Sequence, residues 1–360
     1  MNVVPKSYRF ADVLSIINGR NQKKVEAADG QYPIYGSGGI MGWANDYICP
    51  ENTVVIGRKG SINNPIYVDR KFWNVDTAFG LVSNRNLLLP RYLFYFCVCF
   101  DFEKLNTTVT IPSLTKTNLL QIKISLPPLE EQEKIIHRLD KLCHLIELKK
   151  EQLKRLDILA KSRFIEMFGD PISNNRNWPV SHLNDLGTIS RGVSKNRPRN
   201  APELLGGIYP LIQTGDIANA GTYLTAYTST YSELGLKQSK MWPSGTLCIT
   251  IAANIAKTAI LTFDACFPDS VVGFLSSNKT NQLFVHYWFS FFQKILEEQA
   301  PESAQKNINM QILQNLDVIC PPLSLQNEFA LFVEELDKSK FSISRQQKMI
   351  DSCQRGIILH

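Results

Sequence analysis

The sequence predicts an α+β protein: two mixed α/β globular domains joined by two long helices that form an antiparallel coiled coil. Three observations carry this. The stretch Leu119-Leu-Gln-Ile-Lys-Ile-Ser-Leu-Pro-Pro-Leu-Glu-Glu-Gln132 returns 194 residues later as Leu313-Gln-Asn-Leu-Asp-Val-Ile-Cys-Pro-Pro-Leu-Ser-Leu-Gln326. Each Pro-Pro is followed by apolar residues at alternating steps of four and three, the seam of a coiled coil. Each of these stretches is preceded by a segment rich in glycine, aromatic and β-branched residues, the texture of strands and turns.

The repeat holds its register without a gap. Leu142 meets Leu336, Gln152 meets Gln346, Lys154 meets Lys348 and Asp157 meets Asp351. A period this long is no solenoid repeat, which recurs every ~20–50 residues. It marks a duplicated domain, so the protein does one thing twice. The boundaries fall at 1–126 for the first globular domain, 127–170 for the first helix, 171–320 for the second domain and 321–360 for the second helix.

Thr53-Val-Val-Ile-Gly and Pro65-Ile-Tyr-Val read as strands in the first domain. Thr246-Leu-Cys-Ile-Thr-Ile and Thr258-Ala-Ile-Leu-Thr-Phe do so in the second. Gly36-Ser-Gly-Gly and Gly57-Arg-Lys-Gly-Ser-Ile-Asn-Asn read as turns. Near the end of each domain an aromatic helix is expected, at Arg91-Tyr-Leu-Phe-Tyr-Phe-Cys and Val285-His-Tyr-Trp-Phe-Ser-Phe-Phe, with its rings in the core. Two fainter echoes link the domains. Tyr32-Pro-Ile resembles Tyr209-Pro-Leu, and Asp76-Thr-Ala-Phe-Gly resembles Asp269-Ser-Val-Val-Gly.

Proline is tolerated at a helix start and not inside, so each Pro-Pro opens a helix. The first seam is Ile135, Leu139, Leu142, Ile146, Leu153 and Leu156, with Lys149 and Ala160 in the same register. The rest of that helix is charged. Sustained heptads with charged flanks favour a coiled coil over an amphipathic helix on a globular core. From 135 to 160 the rod is roughly 40 Å long. The second seam, Phe329, Val333, Leu336, Ile343 and Ile350, is interrupted by Lys340, Gln347 and Gln354. Simple end-to-end antiparallel pairing sets Lys149 opposite Lys340, so either the register shifts or both lysines reach out to water.

With 44% hydrophobic residues the 360-residue chain can bury two ordinary cores. Its most apolar run, Leu87 to Phe100, is broken by Pro90 and Arg91, so no membrane helix is expected. The amino terminus does not read as a signal peptide. Eight scattered cysteines lack metal-site spacing and read as reduced thiols of a cytoplasmic protein.

The net charge is +6, and residues 307–360 contribute none of the excess, with 5 basic and 6 acidic side chains. A mild bias permits nucleic-acid binding without requiring it. Local clusters are more telling. Arg191-Gly-Val-Ser-Lys-Asn-Arg-Pro-Arg199 holds four cations and no acid, and Arg58-Lys-Gly-Ser-Ile-Asn-Asn is a smaller version. Such runs are usually solvated loops. Cations, amides and glycine together are also what phosphate and base-edge contacts need. The candidate DNA contacts are Arg58, Lys59, Ser61, Asn63 and Asn64 in the first domain. In the second they are Arg191, Lys195, Arg197, Arg199, Gln213, Thr214, Asn254 and Lys257.

A catalytic constellation is not evident. Asn64-Pro-Ile-Tyr lacks the second proline of the amino-methyltransferase motif and reads as a turn into a strand. Glu147-Leu-Lys fits the tail of a nuclease motif but lies mid-helix. Gly57-Arg-Lys-Gly-Ser lacks the spacing of a phosphate-binding loop. His137 and His144 read as surface or partner-facing, and His182, His286 and His360 have no evident companions in the sequence.

The duplicated Leu-Pro-Pro-Leu-x-x-Gln helix start after a divergent globular segment resembles the specificity subunit of type I restriction–modification enzymes. Further likeness lies in Tyr32-Pro-Ile-Tyr-Gly-Ser-Gly-Gly-Ile-Met-Gly, Ile56-Gly-Arg-Lys-Gly-Ser, Phe72-Trp-Asn-Val-Asp-Thr-Ala, Gln213-Thr-Gly-Asp-Ile and Ile251-Ala-Ala-Asn-Ile-Ala-Lys. Arg163-Phe-Ile-Glu-Met-Phe-Gly-Asp-Pro171 resembles that family's passage out of the first helix. The resemblance implies two target recognition domains, each reading half of a split site on double-stranded DNA, with the paired helices as the ruler between them. It implies no catalysis and no cofactor in this chain. Two methyltransferase subunits using S-adenosylmethionine, and motor-nuclease subunits using ATP and Mg, are the implied partners. The alternatives are a self-contained DNA methyltransferase or nuclease with a fused recognition domain, and a coiled-coil scaffold with no DNA role.

Overall fold

The computed structural model describes residues 5–106, 112–196, 198–252, 255–299 and 308–359. The chain forms two compact units, residues 1–150 with 344–360, and residues 151–343. The division passes through both long helices, so each unit contains part of each.

The first unit carries, in order, β1 (Lys6–Arg9), α1 (Phe10–Val13), β2 (Leu14–Asn18), β3 (Tyr32–Gly36), β4 (Gly39–Ala44), β5 (Thr53–Gly57), β6 (Ile66–Val68), β7 (Trp73–Asn74), β8 (Ala78–Ser83), α2 (Pro90–Cys99), α3 (Lys116–Leu120) and β9 (Lys123–Leu126). The first part of α4 (Leu129–Phe168) follows. Its sheets run β2-β8-β5-β6, β4-β3-β7 and β1-β9. β5 is wholly buried, as its unbroken apolar run requires of a strand covered on both faces.

The second unit has β10 (Val180–His182), β11 (Gly187–Arg191), β12 (Leu205–Leu211), α5 (Thr214–Asn219), β13 (Tyr223–Leu224), β14 (Ser229–Tyr231), α6 (Glu233–Lys237), β15 (Met241–Trp242), β16 (Leu247–Thr250), β17 (Thr258–Leu261), β18 (Ala265–Cys266), β19 (Val271–Ser276), α7 (Gln282–Gln299), α8 (Met310–Gln314), β20 (Asp317–Ile319) and α9 (Leu323–Leu359). Its sheets run β11-β19-β16-β17-β13, β14-β12-β18-β15 and β10-β20. Removing β13 and β15 leaves the strand orders of the first unit. In both units the small sheet contains one parallel pair, β3 with β7 and β12 with β18. The duplication seen in the helices therefore extends through the globular parts. The Asp76 and Asp269 echoes lie just ahead of equivalent strands, β8 and β19.

The glutamine of the repeated motif has one structural job, done twice. Gln132 is fully buried; its Oε1 accepts from the Leu89 N–H at 3.0 Å and its Nε2 donates to the Leu87 and Pro127 carbonyls at 2.8 and 2.9 Å. Gln326 accepts from the Thr280 hydroxyl and the Asn281 N–H, both at 2.9 Å, and donates to the Pro321 carbonyl at 2.8 Å. Each amide thus satisfies an orphan donor at the start of the aromatic helix and ties it to the long one. Arg91 of α2 adds a 2.5 Å ion pair to Asp140 of α4.

The first long helix lies within the expected 127–170 and runs past both ends of its heptad seam. At 40 residues α4 spans about 60 Å rather than the 40 Å of the heptad run. Past Ala160 it continues because Phe164 and Phe168, one turn apart, are both fully buried. It stops at Gly169, whose φ of 76° is the left-handed conformation that glycine adopts cheaply at a helix end.

From Leu142 to Ala160 the positions shielded from water are Leu142, Cys143, Ile146, Lys149, Leu153, Leu156 and Ala160. On α9 they include Phe329, Val333, Leu336, Lys340, Ile343, Gln347 and Ile350. Within the second unit the helices run past each other in opposite directions. Arg163 meets Glu328 at 3.3 Å, while Asp157 meets Lys340 at 2.8 Å. Lys340 is only 17% exposed and also bonds Asp337 at 3.1 Å. Burial alone would lower its pKa, but Tyr287, Asp157 and Asp337 more than offset that and hold it above the usual lysine range. This interruption of the seam is thus neutralised by carboxylates, not relieved by reaching to water.

His182 and His286 do have companions. His182 lies across the β10–β20 pair from Asp317, 3.2 Å from its carboxylate, and His286 Nδ1 is 2.9 Å from the Thr258 hydroxyl. Strand pairing over more than a hundred residues brings in the first partner, which local sequence does not reveal. Burial, with Lys340 and Lys161 nearby, lowers the His286 pKa to about 4. The unfolded chain therefore takes up this proton first. The stability linked to His286 is complete above pH 6.5 and is lost as pH falls toward 4. His286→Gln should show a shallower fall in urea midpoint than the parent between pH 7 and 4.5. Equal slopes would refute this.

Candidate nucleic-acid interface

In the first unit the candidates lie on the turn that leaves β5. Arg58, Lys59, Ser61, Asn63 and Asn64 are exposed. The turn is held from below by backbone bonds, from Arg58 N–H to the Thr77 carbonyl at 2.8 Å and from Gly60 N–H to Pro112 at 3.0 Å. The Arg58 guanidinium stands 5.8 Å from the centroid of the Phe79 ring. Asn63 differs from its neighbours. Its amide accepts from the Phe102 N–H at 2.7 Å and donates to Asp101 at 3.1 Å, so it closes a loop within the unit.

In the second unit Arg199, Gln213 and Thr214 line one groove of about 250 Å³ with Asn200, Leu205, Leu211, Tyr231, Pro268 and Ser270. Arg199 is ion-paired with Asp269, the acid of the second echo. Arg58 touches the Asp76 carbonyl at 3.5 Å, so both echoes steady a candidate arginine. Gln213 starts α5 and donates to the Ser229 hydroxyl at 3.3 Å. Asn200 and Ser270 were not anticipated. Their signal was adjacency, to Arg199 and to the echo acid Asp269.

Arg191, at the end of β11, and Lys195 are exposed but do not line that groove. The Lys195 backbone N–H is pinned at 2.6 Å by Gln238. Lys257 is half-buried on a tight turn in which Ala256 adopts a φ of 56°. That left-handed conformation costs an alanine roughly 1–2 kcal/mol. It is held by bonds from Ala256 N–H to the Thr250 carbonyl and from Lys257 N–H to the Thr250 hydroxyl, at 2.8 and 3.1 Å. Arg197 and Asn254 lie outside the described residues.

His137, His144 and Glu147 are exposed on α4, and Asn64-Pro65 turns into β6 as expected. Among the described residues no three of His, Cys, Asp and Glu gather as a metal site would need. Among them, too, no helix is long and apolar enough to cross a membrane.

The fold and these loops define a duplicated α+β protein that presents two separate sets of cations and amides. The model of the type I restriction modification DNA specificity domain matches it twice, over residues 5–157 and 175–350. The chain belongs to that family. It is 23% identical over 348 residues to the putative type I restriction enzyme specificity subunit S.HindORF215P of Haemophilus influenzae, covering 92% of this chain and 88% of that protein. It is also 23% identical over 287 residues to the putative type I restriction enzyme MjaX specificity subunit of Methanocaldococcus jannaschii. That match covers 74% of this chain but 66% of the relative. The crystal structure of a type I restriction–modification S subunit from M. genitalium has the same fold, with a TM-score of 0.57 at 14% identity over 99% of this chain and 96% of that one.

Proposed function

We propose that this chain is the DNA-sequence-recognition subunit of a type I restriction–modification complex and performs no catalysis itself. Each unit reads one half of a bipartite site on double-stranded DNA. The observation that carries this is the double match to a DNA specificity domain, on units that share strand orders but carry different exposed loops. Like scaffolds with unlike loops are what two different half-sites require.

In this reading residues 1–126 and 171–320 are the target recognition domains, and 127–170 and 321–360 form an antiparallel coiled coil. The shielded seam positions and the opposed contacts at Asp157–Lys340 and Arg163–Glu328 support it. The coiled coil sets the unread gap and docks two methyltransferase subunits, which motor-nuclease subunits join. S-adenosylmethionine, ATP and Mg belong to those partners, in the cytoplasm. Specificity comes from arginine and amide groups against base edges, and lysines contribute phosphate contacts.

The test is co-expression with a partner methyltransferase and sequencing of modified bases across the host genome. A split motif should emerge. Arg58→Ala should alter one half of it and leave the other unchanged. Lys257→Ala should weaken binding evenly across sequences and reduce the slope of log K against log salt by about one. Methyl transfer by the purified chain alone would overturn the reading.

A further inference from the structure

The two small sheets share a feature that core packing does not explain. In the first unit Gly38-Gly-Ile40-Met41 crosses the tip of the β3–β4 hairpin, and Ile40 and Met41 are 58% and 62% exposed. In the second, Gly206-Gly-Ile208 lies near the start of β12, the strand that corresponds to β3, and Ile208 is 81% exposed. The backbone presents these side chains deliberately. Gly36 pairs with Gly39 across a two-residue turn, with Gly39 at φ 119°. In β12 the register slips so that Leu205 and Tyr209 both face Tyr231, with Gly206 at φ 81°; Gly207 lies against the Tyr231 backbone, where a Cβ would meet the carbonyl at 2.3 Å, and the Ile208 side chain is left outward. Nothing lies within 4 Å of where side chains at Gly38, Gly39 or Gly206 would begin.

Both features adjoin the candidate DNA contacts. A methyl group on Gly57 would stand 3.0 Å from the Ser37 Cβ, so the hairpin turn leans on the residue preceding Arg58 and Lys59. Leu205 and Tyr231, which bracket the bulge, line the groove that holds Arg199, Gln213 and Thr214. The nearby acid Glu26 approaches the strand at Gly42, two residues beyond Ile40.

Single exposed apolar residues are ordinary. Ile40 with Met41 and Ile208 each follow a Gly-Gly pair in the small sheet of a unit, and each lies beside cations and amides, so one class of partner fits both. Cations flanking an apolar tooth fit duplex DNA, whose bases offer apolar contact inside a charged backbone. Resting on the function proposed above, we infer that Ile40, with Met41, and Ile208 are specificity-determining residues that make apolar contact with bases, one in each half-site. The contact is either a thymine methyl or the face of a partly unstacked base.

The experiment uses the chain in complex with its methyltransferase partner and duplexes carrying the motif found by methylation sequencing. Ile40→Ser should weaken cognate binding about ten-fold, with the loss confined to bases of one half-site, and Ile208→Ser should do the same at the other. Ile40→Val and Ile208→Val should retain most of the affinity. Ile172→Ser, which removes a 52% exposed side chain outside these loops, should change nothing. If uracil in place of thymine costs the parent the same factor and the serine variants nothing, the contact is a methyl. If 2-aminopurine brightens with the parent and not with the serine variants, it is an unstacked base. The inference is overturned if both serine variants bind cognate DNA within two-fold of the parent and keep its motif. Should Arg58→Ala and Arg199→Ala still shift the motif in that case, the recognition function stands without the apolar contact. A complex that binds no DNA sequence selectively would remove both.

Discussion

Phe164→Ala is expected to lower the stability of the second unit by about 3–5 kcal/mol, the usual range for a large aromatic deleted from a well-packed core. Phe164 is fully buried near the end of α4. Its ring centroid lies 4.8 Å from Phe168, 5.1 Å from Phe291, 5.3 Å from Phe284 and 5.4 Å from Phe329. Those rings come from α4, α7 and α9, so one side chain joins the two long helices to the globular core. Truncation leaves a cavity that three helices would have to shift to fill, and rigid interiors relax only partly. Because the chain has two units, hydrogen exchange resolved by unit is the better measurement than a single melting curve. A loss under about 1 kcal/mol would show that Phe164 is not the joint.

Gln132→Leu and Gln326→Leu should each cost about 3–5 kcal/mol, because the shape is nearly kept while three buried partners lose their bonds. Leaving a buried donor or acceptor unpaired costs about 1–3 kcal/mol apiece. For Gln132 the stranded groups are the Leu89 N–H and the Leu87 and Pro127 carbonyls. For Gln326 they are the Thr280 hydroxyl, the Asn281 N–H and the Pro321 carbonyl. Exchange should quicken first where the aromatic helices begin, at Leu89–Pro90 in one unit and Asn281–Gln282 in the other. If only one of the two substitutions is costly, the two copies do not use the motif alike. The glutamate variants are a sharper probe. They keep the accepting oxygen but turn a donor toward carbonyls into a second acceptor, and should be at least as damaging.

Several features were legible in sequence because their cause is local. A helix start after Pro-Pro follows from proline's missing N–H and fixed φ. A heptad seam declares its own spacing, and the shielded positions on α4 and α9 follow it, Lys149 and Lys340 included. The continuous apolar runs at β5 and β16 sit where a strand buried on both faces must. Other features had no local cause. Asn63 is exposed like the other amides of its loop, but its partners Asp101 and Phe102 lie across the unit. Arg199 was one cation of four until Asp269 paired with it. The heptad run accounts for α4 only to Ala160, since Phe164 and Phe168 are helical for the sake of rings contributed by α7 and α9.

Duplication, the two long helices and their seams, the buried strands and the family resemblance are all written along the chain, since each depends on residues within a few turns or on comparing one stretch with another. Strand order, the work of the paired glutamines, the neutralisation of Lys340 and the outward presentation of Ile40 and Ile208 depend on groups tens to hundreds of residues apart. Chain folding brings those groups together, and the burial and hydrogen-bond energies that select among possible neighbours act only once they have met.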